Sequence, residues 1–211
     1  MPIIRLNLRL VDQNRGRQSF GIDAVNEFNP LFEDLYSYCE TLDIALEMLN
    51  HEAGAAQMEI NLLHDQSLVV ADQAFLFKRT VRETALRHKI YATFMAKPME
   101  KEPGSAIQIH QSILSLKDGS NIFSKKMGIP AHFFLRTLLD CSATFQPQCS
   151  HSGPNVNHTD ASSDIMQPRS TYDGATIIEL RVYYPLFLTG ARRIENRVPG
   201  GRCEPLPCTF R

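Results

Sequence analysis

The sequence predicts an α+β chain, and three observations carry that prediction. Stretches in which apolar and polar residues alternate are interleaved with two stretches of helical apolar spacing. Proline and glycine punctuate the joins, at Pro98, Pro103 and Gly119. From about residue 134 both periods disappear, so the final third is expected to be poorly ordered.

In chain order, residues 5–12 are expected to form a strand and 24–44 a helix with Val25, Phe28, Phe32, Leu35 and Tyr36 on one stripe. QMEINLL (57–63) alternates, setting Met58, Ile60 and Leu62 against Glu59 and Asn61. Residues 68–89 have helical spacing and a basic last turn. Strands IYATFMAK (90–97) and SAIQIHQSIL (105–114) follow, then a turn at Asp118–Gly119 and a short helix near 129–139. Residues 1–133 thus form the ordered part, 134–190 a segment without period, 191–200 an island of order and 201–211 a degraded tail.

The chain has 211 residues, enough for a substantial core, and its 43% apolar and 21% charged content is that of a water-soluble globular protein. A net charge of −1 gives no sign of a nucleic-acid or anionic-membrane partner. No apolar run reaches membrane-spanning length, and MPIIRLNLRL lacks the apolar region of a cleavable signal, so a cytoplasmic address is expected. Five cysteines (Cys39, Cys141, Cys149, Cys203, Cys208) with no tight pair argue against a disulfide framework.

Glu52, Glu59 and Glu195 stand out among the acidic residues. Carboxylates from separate segments, joined by an imidazole, suit Mg²⁺ or Mn²⁺, since hard cations take anionic oxygen. Glu59 is the most telling, because an unpaired charge within an apolar strand is costly. Arg192, Arg193 and Arg197 beside Glu195 fit either a salt-bridged surface or anion contacts next to a metal. In GSAIQIHQS (104–112), Gln108, His110 and Ser112 share one strand face over Ile107 and Ile109; that face is either a solvated edge or a ligand site. Cys141, Cys149, His151 and His158 do not have the spacing of a compact zinc site.

Taken in order, HEAGAAQMEIN, ADQAFLFKRTVRETALRH, YATFMAKPM, EPGSAIQIHQS and ARRIENRVPG resemble the catalytic domain of the glutamine synthetase family. With GRQSFGIDAVNEFNPLFED, the chain looks most like the γ-glutamylpolyamine (γ-glutamylputrescine) synthetase branch. The resemblance implies a curved antiparallel sheet with flanking helices. It also implies an ATP-dependent glutamate–amine ligase, acting on ammonia or a polyamine through γ-glutamyl phosphate. Two or three Mg²⁺ or Mn²⁺ ions and a homo-oligomeric ring with shared active sites belong to the same expectation. Glu52 and Glu59 fall on carboxylates of the metal nearest glutamate, and Glu195 on a ligand of the metal facing the ATP γ-phosphate. His110 and Ser112 match nucleotide-side residues, Gly104 a loop close to glutamate, and Arg197 an arginine near glutamate and the transferred phosphate.

The sequence also departs from the pattern. Gln108 stands where the family has a metal-binding histidine, and paired glutamates expected near Asn7 are absent. The family's N-terminal domain and its helical C-terminal end have no counterpart here. Reread with a shifted frame, segments after Leu139, Asn157, Gln167 and Gly200 regain family strings, which predicts frame breaks and leaves the sheet's later strands unbuildable. The resulting expectation is a family ligase inactive as this truncated chain. The alternative is a non-enzymatic fragment that associates at most with intact family oligomers.

Overall fold

The computed structural model describes residues 2–10, 19–122, 175–178, 182–185 and 193–196. Its centre is β1 (Pro2–Leu10), whose even positions Ile4, Leu6 and Leu8 are buried. Next come α1 (Ile22–Asn26) and α2 (Asn29–Thr41), then the antiparallel strands β2 (Leu46–His51) and β3 (Gln57–Leu62). The long helix α3 (Ser67–Arg87) returns the chain to β4 (Ile90–Thr93), and β5 (Ile107–Gln111) follows. Three further strands are described, β6 (Ala175–Ile178), β7 (Val182–Pro185) and β8 (Ile194–Asn196).

The strands form one eight-stranded sheet in the order β2-β3-β1-β5-β8-β7-β6, with β4 also on β1. One edge of β1 pairs with β3; the other is shared, Pro2–Ile4 with β5 and Asn7–Leu10 with β4. Every described pairing in this sheet is antiparallel. Helices α2 and α3 cover one face. There Leu31, Phe32, Leu35, Ala74, Phe77 and Val81 pack with Ile4, Leu6, Met58, Ile60 and Leu62 into one core. Burial in this core pushes the Cys39 thiol up to about 12, so it behaves as an inert apolar group.

The single helix expected over 24–44 is two. Pro30 lies in the first turn of α2, where its missing N–H and fixed φ suit a helix start, and the chain breaks before it at Phe28. Helix α2 ends in a Schellman motif: Asp43 has φ 56°, its N–H donates to Glu40 O at 3.1 Å, and Ile44 N–H donates to Cys39 O at 2.8 Å. That motif releases the chain into β2, a strand that the sequence pattern did not disclose. The strands expected over 90–97 and 105–114 are shorter than their alternation, and Gly119 takes φ 66° in the expected turn.

The helix expected near 129–139 and the zinc candidates Cys141, Cys149, His151 and His158 lie outside the described residues. The expectation that the later strands are unbuildable does not hold. Ala175–Ile178 and Val182–Pro185 pair as an antiparallel hairpin, and β7 continues the sheet beside β8. Both are short runs rich in β-branched or aromatic residues, which suit a pleated surface.

The turn between β2 and β3 rests on Gln57. Its buried amide accepts from Gly54 N–H at 3.0 Å and donates to Gly104 O at 3.0 Å and Ser105 Oγ at 2.9 Å. Replacing Gln57 with Leu leaves the buried Gly54 N–H and Gly104 carbonyl without their partner and is expected to cost ~3 kcal/mol of unfolding free energy in urea titrations. A loss below about 0.5 kcal/mol contradicts that role.

Candidate carboxylate–arginine site

Side chains alternate along a strand, so the core face of β1 and β3 leaves Ile3, Arg5, Asn7, Gln57, Glu59 and Asn61 on the opposite face. The register sets Arg5 opposite Glu59, Ile3 opposite Gln108 and His110 opposite Glu195. Glu52 follows the end of β2, where its own N–H donates to Gln57 O at 2.7 Å. Four strands and one turn thus bring the predicted polar residues to one face.

At the centre is Arg5, which the sequence reading placed only within a strand. Its Nε donates to Glu59 Oε2 at 2.8 Å, and its Nη2 donates to Glu52 Oε1 at 2.9 Å. These side chains retain 19%, 12% and 17% of their exposure for Arg5, Glu59 and Glu52, so both ion pairs are mostly withdrawn from water. Burial raises the Glu59 carboxyl above the ordinary carboxylate range, Arg5 pulls it back down, and the adjoining Glu52 adds to the rise.

The network continues through Gln108, which is 5% exposed. Its amide is assigned in the orientation that satisfies both ends. Its oxygen then accepts from Arg5 Nη2 at 3.1 Å and its nitrogen donates to Glu195 Oε1 at 3.0 Å. Glu195 is buried, with His110 Nε2 lying 3.9 Å from its Oε1. Arg193 Nε donates to His110 Nδ1 at 2.9 Å, which assigns the neutral ring's proton to Nε2. Arg5 thus pairs with two carboxylates, Gln108 links it to Glu195, and Arg193 reaches the cluster through His110.

Glu52, Glu59, Gln108, His110 and Glu195 are brought together as the sequence suggested. Gly104 is buried, and its carbonyl is taken by Gln57. Ser112 lies beyond the end of β5 and is exposed, leaving Gln108 and His110 as the residues of that face which join the network. Arg192 and Arg197 lie outside the described residues. The β1 position expected to matter, Asn7, instead donates to Ser105 Oγ at 2.9 Å. The positions beside Glu59 and Gln108 are Arg5 and Ile3. The signal for Arg5 was available: it shares a strand face with Ile3 and Asn7, opposite the continuous apolar row of Ile4, Leu6 and Leu8.

The donor set around Arg5 does not fit a Mg²⁺ or Mn²⁺ ion held by Glu52 and Glu59. A divalent ion needs the very oxygens that now accept from Arg5, and it would have to sit against a fixed positive charge. Among the described residues, no group of three or more His, Cys, Asp or Glu is arranged to hold a metal.

Arg5 offsets two mostly buried carboxylates, so Arg5→Met is expected to cost ~3 kcal/mol at neutral pH. A carboxyl that is harder to ionise in the folded chain favours folding at low pH, and that contribution is lost as pH rises through its folded value. Without Arg5 the rise at Glu59 grows, so the penalty is expected to be smaller near about pH 4.5 than near about pH 7.5. Urea unfolding at both values checks this; equal penalties contradict it.

Residues 5–134 match the family described as "Glutamine synthetase, catalytic domain". The chain is 33% identical over 196 residues to γ-glutamylputrescine synthetase PuuA of Escherichia coli strain K12, covering 92% of this chain and 41% of that protein. It is 36% identical over 122 residues to the glutamine synthetase of Pyrococcus horikoshii, covering 57% of this chain and 27% of that one. A cryo-EM structure of Plasmodium falciparum glutamine synthetase superposes with a TM-score of 0.78 at 15% identity, covering 98% of this chain and 48% of that one. The chain thus spans less than half the length of these relatives. With most of its length matched, and with the motif residues of β3, β5 and β8 on one sheet face, the chain belongs to the glutamine synthetase catalytic-domain family.

Proposed function

We propose that this chain carries the catalytic-sheet architecture of an ATP-dependent glutamate–amine ligase and does not itself catalyse ligation. The family reaction joins glutamate to ammonia or a polyamine. A γ-carboxylate oxygen attacks the ATP γ-phosphorus and ADP leaves. The amine nitrogen then attacks the acyl carbon, loses a proton, and phosphate departs. His110 and Ser112 are the nucleotide-side candidates, and Gly104 and Arg197 the glutamate-side candidates.

The observation that carries the inactive reading is the pairing of Arg5 with Glu52 and Glu59. In the family reading this face accommodates a divalent cation and two anionic substrates. Here Arg5 already pairs with two of its carboxylates, His110 is engaged by Arg193, and the Gly104 carbonyl is held by Gln57. The described carboxylates and His110 are therefore committed to partners within the chain. The γ-glutamylputrescine relative supports a polyamine as the ancestral amine.

A second reading follows from the same geometry: the sheet and its core persist while the cluster is closed, which suits a chain kept for association with family oligomers. Size-exclusion of the chain mixed with an intact family member tests it, and co-elution is the expected result.

The catalytic test incubates the chain with glutamate, ATP, Mg²⁺ and either ammonia or putrescine, following ADP release and γ-glutamyl amide by mass spectrometry. The expected yield equals that of a heat-denatured control. Amide above that background with either amine overturns the inactive reading.

A further inference from the structure

We propose that the Arg5 guanidinium is a tethered cation that takes the place of a divalent metal, so that the cluster of Glu52, Glu59 and Gln108 is complete without one. Three partners converge on one guanidinium: Glu59 at Nε, and Glu52 with the Gln108 oxygen at Nη2. Each partner stands at a position that the sequence reading assigned to metal chemistry. A planar group with five N–H donors in a rigid fork suits this duty, because it reaches two separate carboxylates at once. A lysine ammonium on the same strand is a compact point charge and matches the fork less well.

The surroundings hold Arg5 in place. Its Cα lies in the middle of β1, paired with Glu59 on β3, and its N–H donates to Ala106 O at 3.3 Å. The neighbouring core positions Ile4 and Leu6 are 0% and 1% exposed, which fixes the strand's rotation and aims residue 5 at the carboxylates. For a metal to enter, Arg5 must leave two mostly buried carboxylates and find other partners. Gln108 completes the substitution. A metal-binding imidazole offers a neutral nitrogen acceptor, whereas the Gln108 amide accepts from Arg5 and at the same time donates to Glu195. The exchange at position 108 and the arginine at position 5 are therefore two halves of one rearrangement, in which a metal-coordinating face becomes a metal-independent ion-pair network.

This inference rests on the family reading only for the identity of the displaced cation. The test titrates the full chain with Mn²⁺ alone and follows free Mn²⁺ by its EPR signal, beside Glu52→Gln, Arg5→Glu and Arg5→Gln. The wild-type chain is expected to show no Mn²⁺ binding that Glu52→Gln abolishes. Arg5→Glu, which adds a carboxylate and removes the tethered charge, is expected to gain one site, tightening binding at least about tenfold. Arg5→Gln is expected to gain a weaker one. Wild-type binding that Glu52→Gln removes overturns the proposal, as does a folded Arg5 variant that binds no more tightly than the wild type. Should neither variant fold, the wild-type titration still decides. Ligase activity without Mn²⁺ at this cluster would overturn the inactive reading and leave this one standing; Mn²⁺ binding without activity would do the reverse.

Discussion

The organisation of this face depends on one arginine between two glutamates. Arg5 can hold that position because β1 is the strand about which the described sheet is built, paired with β3 on one edge and with β4 and β5 on the other. Its Ile4, Leu6 and Leu8 side chains are locked into the helix-covered core, so the odd-numbered ones beside them have no choice of direction. The apolar side of the sheet thus determines the electrostatics of its polar side. A shift of one residue in β1 would bury the charge and expose Leu6, which makes the register and the ion pairs mutually reinforcing.

The same constraint shapes the chemistry. A carboxylate cluster on a rigid sheet is suited to a hard cation only while its charge is left uncompensated by the protein. With a guanidinium built into the neighbouring strand, part of that charge is met from within. Glu195 and His110 extend this principle: Arg193 supports the imidazole and Gln108 supports the carboxylate. The face remains polar and largely withdrawn from water, yet its hydrogen bonds are turned inward. Retained architecture and inward-turned side chains thus coexist in one chain.

Much of this was legible in the sequence. The alternation in 57–63 gave both the strand and the direction of Glu59, and the helical stripe over 68–89 gave α3 almost to its ends. The convergence of Glu52, Glu59, Gln108, His110 and Glu195 followed from ordered motifs rather than periodicity, because residues so distant in the chain meet only through sheet pairing. Strand β2 escaped notice since its burial has no clean alternation and its pairing with β3 shifts between Leu46 and Met48. Arg5 escaped for a different reason. An arginine in a strand is ordinarily a solvated side chain, and its meaning lies in which strands flank it. The β6–β7 hairpin comes from two short β-prone runs paired beside β8, which neither period disclosed.

The claim that a protein cation occupies this cluster is tested most directly by crystals of the full chain grown with excess Mn²⁺, with diffraction recorded at the manganese absorption edge. The account expects no anomalous peak between Glu52 and Glu59, and the Arg5 guanidinium bonded to both. A peak within about 2.2 Å of the two carboxylates, with Arg5 turned away, would contradict it.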